Sequence, residues 1–328
     1  MKLVRSLAAA LLAVVTLAAS AQTKWDMPTG YPVANPHTVT LSQLAKDIEL
    51  ETKGKLKIVV HPGGSLFKAP EIMRAVETGQ AQTGEILMSL MVNQNPVWGL
   101  DSLPFLAVSF DDAYRLWQAQ RPVAEQILAK RGLKLIYAVA WPPQGIHAKK
   151  ELKSAADMKG LKWRAYNPAT TKIAQVVGAT PLTIQAAELS QALATGVVDS
   201  TMTSGATGVD SKIWESLTHY HRVNAWLPKN MLVVNQKEFD KLDKETQATV
   251  VRLAAEAERK GWERMRAYDD ESVGILQQKG MKIVTPTPQL MGEMKKIGDE
   301  MLADWVKQTG ADGQKILDAY RRSTPVRK

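Results

Sequence analysis

The stretch Met158-Lys159-Gly160-Leu161-Lys162-Trp163-Arg164-Ala165-Tyr166-Asn167-Pro168 predicts a short strand followed at once by a helix. Asn167 is a suitable helix N-cap, and Pro168 would take the favoured first helical position. A strand that leads directly into a helix is the repeating unit of α/β folds, which bind ligands at the carboxyl ends of their strands. The stretch therefore predicts an α/β fold and places Arg164 where such a fold binds its ligand.

The chemistry of Arg164 points to an anion. A guanidinium can hold a carboxylate by two parallel hydrogen bonds, and the free N–H groups of the following helix would favour the same negative charge. An arginine at a strand end is more often a surface ion-pair partner, so the pattern alone leaves both interpretations open.

Outward from this stretch, short apolar runs alternate with amphipathic stretches, as is typical of an α/β fold with a largely parallel sheet. A helix with apolar residues at helical spacing extends from Asp243 to about Ser272, long enough to span two lobes, with Gly261 as a candidate kink. Two further helices end near Gly310 and Arg321. Predicted strands cover 56–60, 86–89, 133–139, 161–165, 197–203 and 281–284; predicted helices cover 69–77, 168–177 and 187–194, and another begins after Ser109.

The N-terminus has the three parts of a cleavable export signal. Lys2 and Arg5 precede an apolar run from Leu7 to Ala18, and Ala19-Ser20-Ala21 forms an A-x-A cleavage site. We therefore expect residues 1–21 to be removed and the mature chain to be a soluble periplasmic protein. The chain has no Cys, which excludes disulfides, thiolate metal sites and lipid attachment at a cysteine.

Size and charge limit the class of protein further. A mature chain near 300 residues predicts two lobes. Without Lys2 and Arg5, 40 basic residues face 33 acidic ones, a net charge of about +7. This excess is spread along the chain, so we expect no nucleic-acid partner. The predicted ranges are 22–142 and 230–267 for lobe I, and 143–229 and 268–328 for lobe II.

Catalytic signatures are absent from the sequence. It contains no G-x-S-x-G, no H-E-x-x-H, no Walker loop and no G-x-G-x-x-G that opens a helix. His219 and His221 would lie on one side of a strand and could share a metal, but no third ligand is suggested nearby. We therefore expect neither enzymatic activity nor a metal or cofactor.

With these residues in view, the chain resembles the solute-binding (DctP-like) family of tripartite ATP-independent periplasmic (TRAP) transporters. The resemblance implies a two-lobed periplasmic binding protein of type II-like architecture, with a long helix across both lobes, that closes on a solute. It also implies docking on the small and large TRAP membrane subunits, and we expect a monomer. Four stretches carry it: 54–79 (GKLKIVVHPGGSLFKAPEIMRAVETG), 156–164 (ADMKGLKWR), 178–181 (GATP) and 192–199 (ALATGVVD).

The resemblance also implies roles for individual residues. Arg164 would pair with the solute's carboxylate, and Asn167 would add a polar contact. Gln144 and Thr203 stand at or near positions that are Arg and Asn in the sialic-acid-binding members. A site with one arginine and nearby tryptophans would suit a small monocarboxylate with an apolar or aromatic body.

The remaining candidates each have two interpretations. Trp141 could line the cleft or pack at the hinge, and Met88 and Ser89 could line the wall of the first lobe or simply pack. Trp163 should face the core by strand alternation. Gln185, Tyr31 and His37 are further lining candidates, and we expect His147 to be a solvated neighbour of Lys149 and Lys150.

Two other functions fit the same observations. A receptor for an ABC-type importer would share the two lobes but not the Lys-Gly-x-Lys-x-Arg stretch together with the long helix. A periplasmic hydrolase or lyase would use His219, His221 or nearby carboxylates.

Overall fold

The computed structural model describes residues 22–323 of the 328-residue chain, so the predicted signal at 1–21 lies outside the described residues. The strands are β1 (Thr23–Pro28), β2 (Leu56–His61), β3 (Thr83–Leu87), β4 (Leu133–Ala140), β5 (Gln144–Ala148), β6 (Lys162–Ala165), β7 (Thr180–Thr183), β8 (Ser200–Ser204), β9 (His219–His221), β10 (Lys229–Asn235) and β11 (Lys282–Val284).

The helices alternate with these strands, which confirms the predicted α/β class. Among the helices of residues 22–323, none combines the length and the apolar character needed to span a bilayer. They are α1 (Pro36–Glu51), α2 (Ile72–Glu77), α3 (Phe110–Ala129), α4 (Pro168–Val176), α5 (Leu189–Ala194), α6 (Gly205–Asp210), α7 (Gln236–Asp240), α8 (Lys244–Gln278) and α9 (Pro288–Ser323), with a 3₁₀ segment at Pro96–Ser102.

The strands form two separate groups, which define two lobes. In the first lobe β1 pairs with β2, and β10 lies between β3 and β4; the second lobe holds one sheet in the order β11-β9-β5-β8-β6-β7. The sheet of the second lobe is mixed and the β3-β10-β4 sheet is antiparallel, so the expectation of a largely parallel sheet is wrong. The reason is that β5 and β10 enter directly from the other lobe and run antiparallel to both of their neighbours.

The chain passes between the two sheet groups at 141–143, between β4 and β5, and at 222–228, between β9 and β10. The predicted breaks near 142 and 229 fall at these crossings, and the exact lobe ranges stay a prediction.

The long helix α8 joins the lobes, as predicted. It packs on α1 and β4 of the first lobe and on α6 and β11 of the second. Trp262 Nε1 donates to the carbonyl oxygen of Ala138 at 2.8 Å, and Glu258 accepts from Trp117 Nε1 at 2.9 Å. These bonds anchor the middle of α8 to β4 and α3.

Gly261 permits a close helix-to-strand contact, and the helical assignment continues through it to Gln278. A Cβ at Gly261 would lie 2.7 Å from Val139 Cγ2, closer than side-chain carbons approach. The absence of a side chain therefore lets α8 lie against β4 directly before the crossing at 141–143.

The last helix, α9, contacts both lobes, whereas the predicted ranges place 268–328 in the second lobe. Its first turns contact the second lobe, where Glu293 accepts from the backbone N–H of Ala155. Its remainder packs on α3 and Pro96–Ser102 of the first lobe, where Trp305 Nε1 donates to Pro96 O at 2.7 Å. The helical backbone is interrupted at Gly310, whose φ of 55° favours glycine.

His147 is completely buried, so the expectation of a solvated side chain is wrong. It lies on β5, which has β8 and β9 as its two neighbours in the sheet. Its ring stacks on Tyr220 with centroids 4.1 Å apart. Burial lowers the pKa of His147 to about 3, which keeps the imidazole neutral.

The neighbouring pair His219 and His221 does not have the geometry of a metal site. His221 Nε2 accepts from the N–H of Leu152 at 2.8 Å, and Nδ1 lies 3.2 Å from Ile146 O. One tautomer satisfies both bonds and leaves no ring nitrogen of His221 free for a metal.

We expect Gly261→Ala to destabilise the protein by about 1–2 kcal/mol, because overpacking against Val139 outweighs the gain in helix propensity. Gly274→Ala on the same helix is the matched control, since nothing lies within 4 Å of the added Cβ. That variant should gain up to about 1 kcal/mol. Denaturant unfolding checks both, and equal effects of the two substitutions would contradict the close-contact role of Gly261.

A second prediction concerns the pH dependence of stability. The pKa of His147 is lower in the folded than in the unfolded chain, so its stabilising contribution is present above the unfolded pKa and is lost as the pH falls below it. At pH 5 the loss relative to neutral pH should reach about 2 kcal/mol. The difference in unfolding free energy between wild type and His147→Gln, measured from pH 8 to 4.5, should change accordingly. A constant difference would contradict the prediction.

Candidate functional site

A pocket with about 370 Å³ of empty space, its open mouth included, is lined by residues of both lobes. Its first-lobe wall contains Tyr31, Leu87 and Trp141, and Pro228 lies at the second crossing. The second lobe contributes Gln144, Arg164, Tyr166, Gln185, Ala186, Thr203 and Thr207. The structure thus brings together five of the predicted site residues, namely Trp141, Gln144, Arg164, Gln185 and Thr203.

Arg164 reaches this pocket because of its place on β6. Strand alternation directs the neighbouring Trp163 into the core, where it is completely buried as predicted. Arg164 Nε donates to Ile184 O at 2.8 Å, and the guanidinium carbon lies 4.8 Å from the ring centroid of Tyr166. These two contacts fix the plane of the guanidinium.

Within residues 22–323, the charge of Arg164 has no carboxylate as a counter-ion. Among residues 22–323 the other buried cation is Lys229, whose Nζ lies 3.4 Å from Asp101 Oδ2. In the same part of the chain no carboxylate pairs with Arg164, which is only 2% exposed. Burial lowers its pKa to about 10, so the guanidinium stays charged at neutral pH. A buried unpaired cation is costly, and an anion in the pocket would offset that cost.

Gln144 is already hydrogen-bonded within the protein. Its Oε1 accepts from the Tyr166 hydroxyl at 3.1 Å, and its Nε2 donates to Pro142 O at 2.9 Å. The side chains of Thr203 and Gln185 form no hydrogen bond to the rest of residues 22–323 and line the pocket with their polar groups available. Apart from the Arg164 guanidinium, the polar groups that the pocket leaves available to a ligand, on Thr203 and Gln185, are therefore neutral.

Tyr31 and Trp141 form an aromatic wall, with ring centroids 4.8 Å apart. Asn230 holds both rings, because its Oδ1 accepts from Trp141 Nε1 at 2.9 Å and from the Tyr31 hydroxyl at 3.4 Å. Burial raises the pKa of Tyr31 far above its ordinary value, so the phenol stays neutral. Trp141 combines both predicted roles, since it lines the pocket and begins the crossing at 141–143.

Three predicted site residues lie outside this pocket. β3 ends at Leu87, so Leu87 lines the pocket, whereas Met88 and Ser89 turn into a 3₁₀ segment and are buried. Asn167 Nδ2 donates to the hydroxyls of Ser89 at 2.9 Å and Ser102 at 3.2 Å. The side-chain amide of Asn167 thus forms hydrogen bonds from the second lobe to the first.

The start of α4 also differs from the expectation that free helix N–H groups would bind the anion. The Thr170 N–H donates to Asn167 Oδ1 at 2.9 Å, and Pro168 has no N–H. The residues at this helix end line a different groove. In the pocket, Arg164 is therefore the group that would bind a negative charge.

His37 lies behind the pocket and does not line it. Its ring packs on Trp141 with centroids 4.4 Å apart, and its Nδ1 is 3.5 Å from Glu85 Oε1.

Tyr166 is the most informative lining residue that the sequence analysis missed. It stands two residues after Arg164, directly past the end of β6, and extending the strand alternation by one residue would have placed it on the same face. Leu87, Ala186, Thr207 and Pro228 carried no comparable signal.

Comparison with known proteins identifies the class of receptor to which this pocket belongs. Residues 30–309 match the family described as DctP, bacterial extracellular solute-binding protein, family 7. The chain is similar to DctP6 of Bordetella pertussis, an extracytoplasmic solute receptor binding pyroglutamic acid, with 50% identity, a TM-score of 0.91 and coverage of 92% of this chain and 100% of that one.

Two other proteins show the same likeness. A TRAP solute-binding protein from a marine metagenome, specific for pyroglutamate, has 43% identity and a TM-score of 0.90 over 92% of this chain and 99% of that one. The monocarboxylate 2-oxoacid-binding periplasmic protein of Nostoc is 24% identical over 86% of this chain and 79% of its own length. The chain belongs to the DctP family of bacterial extracellular solute-binding proteins, the solute receptors of TRAP transporters.

Proposed function

We propose that this receptor captures a small cyclic monocarboxylate of the pyroglutamate type, and that Arg164 binds the carboxylate of the solute. The observation that carries the proposal is the buried guanidinium of Arg164, which has no carboxylate partner among residues 22–323. Its Nη atoms can form two parallel hydrogen bonds with a carboxylate because Nε is already fixed by Ile184 O.

The rest of the pocket supports a compact solute with few polar groups. Tyr31, Trp141 and Leu87 offer apolar or aromatic surface to a small ring. A lactam carries one N–H and one carbonyl oxygen, and the Thr203 hydroxyl and Gln185 amide are free to bond with such groups. A polyhydroxylated acid would leave several hydroxyls against aromatic rings, which costs free energy.

The relatives support the same solute class. Two solved proteins at 50% and 43% identity to this chain bind pyroglutamic acid or are specific for pyroglutamate. A pocket with one unpaired cation and an aromatic wall agrees with that ligand.

The proposed mechanism is closure of the two lobes on the solute. Arg164 belongs to the second lobe and Tyr31 to the first, so a bound solute would contact both only when the lobes are together. Solute binding would then shift the population towards the closed form. We further propose that the receptor is exported by the signal at 1–21, acts as a monomer in the periplasm and delivers its solute to the TRAP membrane subunits in the closed form.

The first test replaces the guanidinium. Arg164→Met keeps the stem of the side chain and removes the charge, so calorimetry with pyroglutamate should show at least a hundredfold loss of affinity, about 3 kcal/mol. The melting temperature without solute should not fall by much, because the variant no longer buries an unpaired cation. Arg259→Met is the control, since Arg259 is exposed and pairs with Glu263 on the surface. Wild-type affinity in Arg164→Met would refute the carboxylate assignment.

The second test defines the solute class by thermal shift. Ligand at a thousand times its Kd stabilises the folded state by about 4 kcal/mol, so pyroglutamate should raise the melting temperature clearly. The neutral lactam 2-pyrrolidinone should give no shift because it lacks the carboxylate, and glucuronate should give little. A panel in which only sugar acids or amino acids stabilise the protein would overturn the proposal.

A further inference from the structure

Two asparagines donate hydrogen bonds from one lobe to the other. Asn167 follows Tyr166 of the second lobe and donates through Nδ2 to Ser89 and Ser102 of the first. Asn35 precedes α1 of the first lobe and donates through Nδ2 to Asp210 Oδ2, at the end of α6 in the second lobe, at 2.6 Å. Both asparagines are buried in the arrangement observed.

Each asparagine also caps a helix of its own lobe. Asn167 Oδ1 accepts from the N–H of Thr170 at the start of α4, and Asn35 Oδ1 accepts from the N–H of His37 at the start of α1. The cap fixes which end of the amide is the oxygen, so Nδ2 is directed across the cleft. An N-cap serine would cap the helix about as well but is too short to reach the other lobe.

We infer that Asn35 and Asn167 are positioning residues that stabilise the closed form of the receptor without contacting the solute. We call the bonds of Asn167 to Ser89 and Ser102, and of Asn35 to Asp210, the two cleft latches. Neither asparagine lines the pocket. The pocket is lined instead by neighbours within four residues of a latch residue, namely Tyr31, Tyr166 and Thr207. The inference depends on closure of the lobes and not on the identity of the solute.

The surroundings of Asp210 give a further reason why the latch between Asn35 and Asp210 favours closure. Burial raises the pKa of Asp210 to about 6, and the hydrogen bond from Asn35 opposes this rise. The carboxylate is thus costly to bury without the amide donor, whereas water would solvate it once the lobes separate. Loss of Asn35 should therefore penalise the closed form more than the open form.

The experiment compares three asparagine N-caps. Asn167→Ser and Asn35→Ser keep the cap and remove a latch, whereas Asn95→Ser is the control. Asn95 caps the 3₁₀ segment Pro96–Ser102 by accepting from the N–H of Val97, and it forms no bond to the second lobe within residues 22–323. Because the chain has no Cys, a spin-label pair can be placed at Lys57→Cys and Gln175→Cys, which are exposed on the first and second lobes.

Pulsed electron paramagnetic resonance then measures the distance between the labels, with and without saturating pyroglutamate. Each latch substitution should lower the ratio of closed to open molecules about five- to tenfold, and the double variant should combine both losses. The melting temperature of each latch variant should match that of Asn95→Ser. Substitution of a residue that only contacted the solute would leave the protein, when saturated with pyroglutamate, as closed as the wild type.

The outcomes separate this inference from the proposed solute. The latches are contradicted if the double variant gives the same distance distribution as the wild type both with and without solute. They are also contradicted if that distribution changes no more than it does in Asn95→Ser. A wild-type protein that does not bind pyroglutamate contradicts the proposed solute, while the comparison without solute still tests the latches.

Discussion

The site depends on one constraint, the burial of the Arg164 guanidinium without a counter-ion from the described part of the chain, residues 22–323. Removing a cation from water costs on the order of several kcal/mol unless a charge or a set of hydrogen bonds replaces the solvent. Lys229 meets this condition through Asp101, whereas Arg164 has the carbonyl oxygen of Ile184 and the ring of Tyr166. Under the proposed function, an anion from outside would complete the electrostatics of this site, which suits a receptor better than a permanent structural ion pair would.

The remaining polar groups suggest how the proposed site would select its solute. Hydrogen bonds run from the Tyr166 hydroxyl to Gln144 and from Gln144 to the carbonyl oxygen of Pro142, and Asn230 holds Trp141 and Tyr31. Groups fixed in this way cannot rearrange to meet an additional charge or hydroxyl. Discrimination between solutes would therefore rest on the aromatic wall and on a few free donors and acceptors, because a poorly matched solute would leave polar atoms unpaired.

The local sequence was sufficient to predict most of the fold. The cap-and-proline start of α4, the spacing of apolar residues along α8 and the strand that carries Arg164 all follow from short-range preferences that the structure keeps. The direction of β5 and β10 did not follow, because antiparallel pairing is set by where the chain crosses between lobes. The packing role of Gly261 did not follow either, for a related reason. Gly261 contacts Val139, which lies far from it in the sequence, so a helical pattern alone cannot reveal the contact.

The site was predictable where one residue sufficed and unpredictable where two segments had to meet. Arg164 and Trp163 follow from strand alternation, which fixes opposite directions for neighbouring side chains. Asn167 carries a local signal of the same strength, but that signal specifies only the helix cap made by Oδ1. The partner of Nδ2 depends on how closely the first lobe approaches, and Ser89 and Ser102 lie 78 and 65 residues away. An asparagine in a binding motif can therefore act on the approach of the lobes, so its proximity to Arg164 in the sequence does not make it a ligand contact.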